Sequence, residues 1–146
     1  MSEAFRSFID KLQRHLVELF SQREEKIVLE TQRLVRQLGP AKVTIQDLAH
    51  DRQISAGHLG RVYSRATGQT LEEYLIAQRL ELSKQLLLDP RLHVAEVADR
   101  CGFCNPAYFS SVFKKYMHCT PRTYARQPHN WGVLDPGTTD ATHAAV

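Results

Sequence analysis

The feature that most constrains the fold of this chain is a short helical pattern that occurs twice. In the second copy, Val94, Val97 and Ala98 have the spacing of the buried face of a short helix. Gly102 then allows a tight turn, and Asn105 is a good N-cap for another helix. A helix, a turn with glycine and a second helix predict a helix-turn-helix, a motif whose second helix can enter a DNA major groove.

The first copy places the same kinds of residue in the same order. Thr44 and Asp47 predict a capping box before its first helix, and Ser55 predicts the N-cap of its second helix. Up to the turn the copies match at an offset of 49 residues, at Ile45, Leu48, Ala49 and Ile54 against Val94, Val97, Ala98 and Phe103. Beyond the turn the offset is 50, at Ser55, Leu59, Val62 and Tyr63 against Asn105, Phe109, Val112 and Phe113. The second turn is therefore one residue longer.

The segment between the copies predicts a long linker helix over residues 70–88. Gly68 ends the preceding helix, Thr70 and Glu73 predict another capping box, and Asp89 with the following proline ends the linker. Its apolar residues form two stripes, one of Leu71, Tyr74, Leu75, Leu82 and Leu86 and one of Leu80 and Leu87. A helix that is apolar on two sides can serve both units, and at 1.5 Å per residue it would be about 28 Å long.

The N-terminal segment also predicts helix, since residues 2–38 contain neither Gly nor Pro. A heptad seam runs through Phe5, Ile9, Leu12, Leu16 and Leu19. It spans barely two heptads before Arg23 and Lys26 occupy the next seam positions, whereas a firm coiled-coil assignment needs three or four. The alternatives are a short dimerising coiled coil, a helix that packs on its own domain, and the cut-off linker of a longer protein. A second helical piece, residues 27–38, is expected to cover the first unit and to end at Gly39-Pro40.

The expected fold is all-α, with two helix-turn-helix units joined by a long linker helix and preceded by an N-terminal helical segment. We expect a helical linker or dimerisation segment at 1–39, a DNA-binding domain at 40–127 and a flexible tail at 128–146. Within the domain, the first unit covers 44–68, the linker helix 70–88 and the second unit 93–121.

Charge distribution favours an anionic partner. The 146 residues have a net charge of +3, and from Arg100 to Gln127 there are five Lys or Arg and no Asp or Glu. A helical segment of this kind suits a phosphate backbone. No apolar run approaches the roughly 18 residues that span a membrane, and the acidic N-terminus is not a secretory signal. Three cysteines favour a reducing cytoplasm, and no nucleophile–base pair or carboxylate dyad suggests an enzyme.

Over roughly residues 43–126 the sequence resembles the DNA-binding domain of AraC/XylS-type transcription regulators. The resemblance lies in TIQDLAHDRQISAGHLGRVYSRATGQTLEEYLIAQRLELSKQLL and in VAEVADRCGFCNPAYFSSVFKKYMHCTPRTY. It implies two recognition helices that enter adjacent major grooves of double-stranded DNA. It also implies contact with RNA polymerase, as in many members. A usual member adds a sensory or receiver domain, so the chain is a small free-standing regulator or the C-terminal piece of a larger protein.

The resemblance also assigns the candidate contact residues. In the first recognition helix the base-reading positions fall on Ala56, Gly57, Gly60 and Arg61, and in the second on Pro106, Ala107, Ser110 and Ser111. Ser55, Arg65, Asn105, Lys114 and Lys115 complete the predicted DNA-binding set. Only Arg61 among the base-reading residues has reach and donors, so specificity would rest on Arg61, on thymine methyl contacts or on DNA shape. His118 and Ala125 replace a usual Gly and Arg, which puts a turn and a phosphate contact in question.

Two other functions compete with DNA binding. Cys101 and Cys104 form a Cys-x-x-Cys pair upstream of His118 and Cys119, which suggests zinc or a thiol switch. Because His118 and Cys119 are adjacent, they do not form the second ligand pair of a typical zinc site, and we expect no metal or cofactor. The small side chains at the base-reading positions motivate the other alternative, a helical protein-interaction module whose recognition helices have lost their DNA contacts.

Overall fold

The computed structural model describes residues 2–126, and the predicted tail at 128–146 lies outside them. The described residues form seven α-helices and no strand. The helices are α1 (Glu3–Leu38), α2 (Ile45–Asp51), α3 (Ala56–Thr67), α4 (Leu71–Leu86), α5 (Val94–Arg100), α6 (Pro106–Met117) and α7 (Pro121–Arg126). The chain divides into two compact units between Arg79 and Leu80, within α4. The all-α prediction with two helix-turn-helix motifs is confirmed.

Local capping sets where the helices of both units begin. Thr44 and Asp47 form the predicted capping box of α2, in which the Asp47 carboxylate accepts from the Thr44 amide at 2.9 Å. The Thr70 and Glu73 pair does the same before α4, at 3.0 Å. These side chains satisfy amides that no helical carbonyl can reach. Because each cap spans three residues, the sequence was sufficient to predict it.

The core of the first unit lies where α1, α2, α3 and the start of α4 meet. Its most buried members are Val28, Val35, Val43, Leu48, Ala49, Leu59, Tyr63, Leu71 and Leu75. Ile54, in the turn between α2 and α3, packs against this core. The side chain of Arg79 links α4 to the loop before α2. Its Nε donates to the Pro40 carbonyl at 2.9 Å and its Nη2 to the Val43 carbonyl at 3.1 Å.

The N-terminal segment is one continuous helix rather than two pieces. Its last third packs on the first unit, with Val28, Thr31 and Val35 buried. Within the predicted seam only Ile9 is half-buried, and the large apolar side chains on either side of it are exposed. Exposed fractions are 54% for Phe5, 43% for Leu12, 45% for Leu16 and 48% for Leu19. Among residues 2–126, most of the seam is thus left uncovered, and the alternatives for this segment stay predictions.

The second unit is built around aromatic residues of α6. Phe103, in the turn, lies 5.0 Å from Phe109 between ring centroids, and Phe113 lies 5.5 Å from Tyr124 of α7. Tyr116 follows Phe109, Val112 and Phe113 at helical spacing, but its side chain is 42% exposed. We did not predict α7, although Thr120 followed by Pro121 is an N-cap and first-turn pair, and the Thr120 hydroxyl accepts from the Thr123 amide.

The two predicted stripes of α4 are not equally buried. Leu75 is buried as expected, but Leu82 and Leu86 are only half-buried. The second predicted stripe is buried, at Leu80 and at Leu87, which directly follows the helix, and Ser83 between them is buried as well. The Ser83 hydroxyl donates to the Leu80 carbonyl at 2.6 Å, so a polar side chain is satisfied inside an otherwise apolar stripe.

Within residues 2–126, two non-glycine residues occupy left-handed turns. Gln53 (φ 57°) lies where the second motif has Gly102 (φ 82°), and His118 (φ 60°) lies where the first motif has Gly68 (φ 74°). His118 therefore takes up the positive φ that its position was predicted to require. Left-handed backbone costs an L-residue roughly 1–2 kcal/mol, so each of these two turns stores a small strain.

Candidate nucleic-acid interface

The helix α3 presents one exposed face to solvent. Its N-cap is Ser55, whose hydroxyl accepts a hydrogen bond from the His58 amide at 3.1 Å. Leu59, Val62 and Tyr63 are buried, and this orients the opposite side of the helix outward. The residues that line this side, which we call the α3 face, are Gly57, Gly60, Arg61, Ser64 and Arg65.

Apart from its two arginines, the α3 face carries only glycine and serine, so few atoms project from it. A Cβ added at Gly60 would meet no atom within 4 Å, and one at Gly57 would lie 3.7 Å from Nη1 of Arg61. Arg61 is exposed, and within residues 2–126 none of the ion pairs involves it. Ala56, also a predicted contact residue, is half-buried and packs against the core. Arg61 is therefore available to an external hydrogen-bond acceptor. Ala56 exposes only part of a small side chain.

Arg65 has an intramolecular partner that the sequence did not predict. Its Nη2 lies 2.6 Å from Oε1 of Glu24 on α1, with side chains that are 63% and 29% exposed. The two residues are 41 positions apart, so only the packing of α1 on α3 brings them together. One end of the α3 face thus has a carboxylate beside it.

The helix α6 presents the equivalent face in the second unit. Asn105 is its N-cap as predicted, with Oδ1 accepting from the Tyr108 amide at 2.7 Å, and Pro106 is at the first helical position. Phe109, Val112 and Phe113 are buried. Of the predicted contact residues, Ser110 is half-buried and the exposed ones are Asn105, Pro106, Ala107, Ser111, Lys114 and Lys115.

One candidate on α6 was missed. Tyr108 is 45% exposed and lies beside Ala107, with its ring 6.1 Å from that of Phe103. It matches His58 of α3 at the offset of 50 residues, and His58 is exposed as well. The repeat itself was therefore the signal that could have identified it.

Both recognition helices lack acidic residues. Neither α3 nor α6 contains Asp or Glu, whereas α2, α4 and α5 all have acidic residues in their first turns. Arg61 and Arg65 on α3, and Lys114 and Lys115 on α6, are exposed. These faces suit a polyanion, because basic side chains without competing carboxylates on the same helix can all turn toward it.

The cysteines form a different kind of environment. Cys101 is fully buried, and this burial raises the pKa of its thiol to about 11. Burial also raises the pKa of Cys119, while Cys104 is exposed. Since the thiolate is the reactive form, Cys101 is suited to packing rather than to redox exchange. Among residues 2–126, no three His, Cys, Asp or Glu side chains are grouped as a metal site requires.

The comparison with known families agrees with this geometry. A family model described as a helix-turn-helix domain matches residues 48–127, more than half of the chain. The chain belongs to the AraC/XylS-type helix-turn-helix family. It is 35% identical over 80 residues to the transcriptional activator RhaR of Mannheimia succiniciproducens, a match that covers 55% of this chain and 29% of RhaR.

Solved structures of the AraC/XylS type show the same fold. The C-terminal domain of AraT, a response regulator from Geobacillus stearothermophilus, is 26% identical with a TM-score of 0.62, and the match covers 80% of this chain and 94% of that one. The DNA-binding domain of AdpA, a global transcriptional factor solved in complex with a target DNA, is 25% identical with a TM-score of 0.60. That match covers 70% of this chain and 96% of AdpA's. The chain spans 29 to 37% of the length of three curated relatives.

In the part of the chain that the structure describes, no helix is both long enough and apolar enough to cross a membrane.

Proposed function

We propose that this chain binds double-stranded DNA and regulates transcription in the cytoplasm, where the chromosome lies. The observation that supports this most is the absence of acidic residues from α3 and α6, together with their exposed Arg and Lys side chains. The likeness to the AdpA domain, which was solved with its target DNA, supports the same function. Contact with RNA polymerase remains a prediction from the family resemblance.

The length of each side chain determines which part of the DNA we propose that it contacts. Arg61, on the α3 face, reads a base edge, since an exposed arginine can donate two hydrogen bonds to guanine. Lys114 and Lys115, late in α6, bind the flanking phosphates. Arg65 is a further basic side chain of the set and is paired with Glu24. The other members offer short side chains or helix N-terminal groups for close approach, namely Ser55, Ala56, Gly57, Gly60, Asn105, Pro106, Ala107, Ser110 and Ser111.

Binding to random-sequence duplex DNA at varied salt tests the function directly. Each phosphate that a Lys or Arg neutralises contributes about 0.9 to the slope of log affinity against log salt concentration. We expect measurable binding that weakens steeply as salt rises. A helical protein-interaction module would show no affinity at any salt concentration, and that result would refute the proposal.

Substitution of Arg61 tests its role as a base contact. Arg61→Ala should cost roughly 1–3 kcal/mol on a cognate site and relax preference at one base pair. The matched control is Arg33→Ala, an exposed arginine on α1 two positions from both buried Thr31 and buried Val35, and therefore on the opposite side of that helix. Equal weakening of cognate and random DNA would instead make Arg61 a phosphate contact.

The two units can be tested together by footprinting. If each inserts its recognition helix into a major groove on one side of the duplex, two protected segments should appear about 10 base pairs apart. The spacing should not depend on protein concentration, because both helices belong to one chain. A single protected segment of one groove would leave one functional helix-turn-helix beside a structural copy.

We propose further that residues 5–19 pair with a second copy of this chain. Exposed apolar side chains at heptad spacing, with no charged residue in the seam, favour a self-complementary helical interface. Leu16→Glu should shift sedimentation equilibrium toward the monomer. Val17→Glu, one position along and outside the seam, is the control. A wild-type monomer at all concentrations would contradict self-association and favour a preceding domain as the occupant.

A further inference from the structure

The packing of α1 fixes Glu24 beside the first recognition helix. Glu24, Val28, Thr31 and Val35 follow one another at spacings of four, three and four residues, so they share one face of the helix. The last three are buried in the first unit, and Gln32 Nε2 donates to the Tyr63 hydroxyl at 3.1 Å. This contact fixes the register of α1 against α3, so the Glu24 carboxylate is directed at the Arg65 end of the α3 face.

The repeat shows that this arrangement is particular to the first unit. Arg65 matches Lys115 of α6 at the offset of 50 residues, and both are basic residues near the end of a recognition helix. Arg65 is held by Glu24, whereas Lys115 forms none of the ion pairs within residues 2–126 and lies 5.9 Å from the Tyr116 ring centroid. Equivalent cations in the two units thus have different partners.

Folding stability does not account for the Glu24–Arg65 pair. Both side chains retain contact with water, and ion pairs of this kind contribute little to stability. The apolar contacts of Val28 and Val35 hold α1 in place without it. A carboxylate beside a DNA-binding helix does, however, compete with phosphate for the same guanidinium and repels the backbone of any sequence.

We propose that Glu24 limits the affinity of the first unit for DNA by occupying the Arg65 guanidinium that would otherwise bind a backbone phosphate. Glu24 is a positioning residue, acting through Arg65 rather than touching DNA. The inference rests on the proposed DNA-binding function. It predicts an effect on affinity for every sequence and none on sequence preference.

Measuring the affinity and salt slope of Glu24→Gln on random-sequence duplex DNA tests this. One additional phosphate contact should raise affinity by up to about eightfold at 0.1 M salt and steepen the slope by about 0.9. The control is Glu25→Gln, which makes the same charge change at the next, exposed position. It should change affinity less than about twofold, since its charge is largely screened at this salt concentration.

A double substitution separates the pair from general charge effects. In an Arg65→Gln background, Glu24→Gln should no longer raise DNA affinity appreciably. Footprints of all variants should protect the same DNA sequence as the wild-type protein does. Equal gains from Glu24→Gln and Glu25→Gln, no gain from Glu24→Gln, or a full gain without Arg65 would each overturn the inference. Wild-type protein that binds no DNA would instead overturn the proposed function on which it rests.

Discussion

Gly60→Ala should separate the stability of α3 from its function. Gly60 lies in the middle of the helix, where glycine costs about 1 kcal/mol relative to alanine. A Cβ at this position would meet no atom within 4 Å, so no clash offsets the gain in the free protein. We therefore expect the free energy of unfolding to rise by about 1 kcal/mol, and the melting temperature of the first unit by roughly 4–8 °C.

The same substitution should weaken DNA binding. If the α3 face approaches DNA closely at Gly60, an added methyl group must displace the helix or the groove, and cognate affinity should fall. Calorimetry and DNA titration of Gly60→Ala give the two numbers, and Ala66→Gly in the same helix is the control for propensity alone. A variant that is stabilised and binds DNA as tightly as wild type would refute the idea that Gly60 serves close approach.

Three further predictions concern the rest of the molecule. Val35→Ala should lower the free energy of unfolding by about 2 kcal/mol in urea denaturation, because it leaves a cavity under α1. Leu29 is 64% exposed, so Leu29→Ala should lower it by less than about 0.5 kcal/mol. His118→Gly should stabilise by about 0.5–1 kcal/mol in the same assay, since it relieves a left-handed residue. Near pH 8 a thiol reagent should modify Cys104 rapidly and buried Cys101 only on unfolding. The pKa of Cys101 is raised to about 11, so the folded state favours the protonated thiol. This contribution to stability is full below about pH 8.5 and falls as the pH rises toward 11. Denaturation at several pH values measures it.

Local signals made much of the fold predictable. The capping pairs at Thr44 and Thr70 and the N-caps at Ser55 and Asn105 join residues three positions apart, and each begins a helix where it was expected. The repeat then predicted two helix-turn-helix motifs, with the second turn one residue longer. Such signals depend on sequence neighbours alone, so no tertiary information was needed.

Other features depended on contacts that sequence neighbours do not determine. Tyr116 continues an apolar periodicity and is nevertheless exposed, because periodicity specifies a face but not how much of it a neighbouring element covers. For the same reason, among residues 2–126 the seam residues of α1 other than Ile9 remain exposed, while residues farther along the same helix are buried. The contact residues on α3 and α6 could be named from the resemblance, but their exposure could not.

The sequence by itself determined the helices of the two helix-turn-helix motifs, the linker helix between them, their order and the two faces that bear basic side chains. The tertiary structure alone decided that Glu24 meets Arg65, that Arg61 has no such partner among residues 2–126, and that Leu82 and Leu86 of α4 are only half-buried. The physical reason is range. Caps and helical periodicity act within one turn, whereas a salt bridge across 41 residues depends on how α1 packs, and that packing is set by the whole core of the first unit.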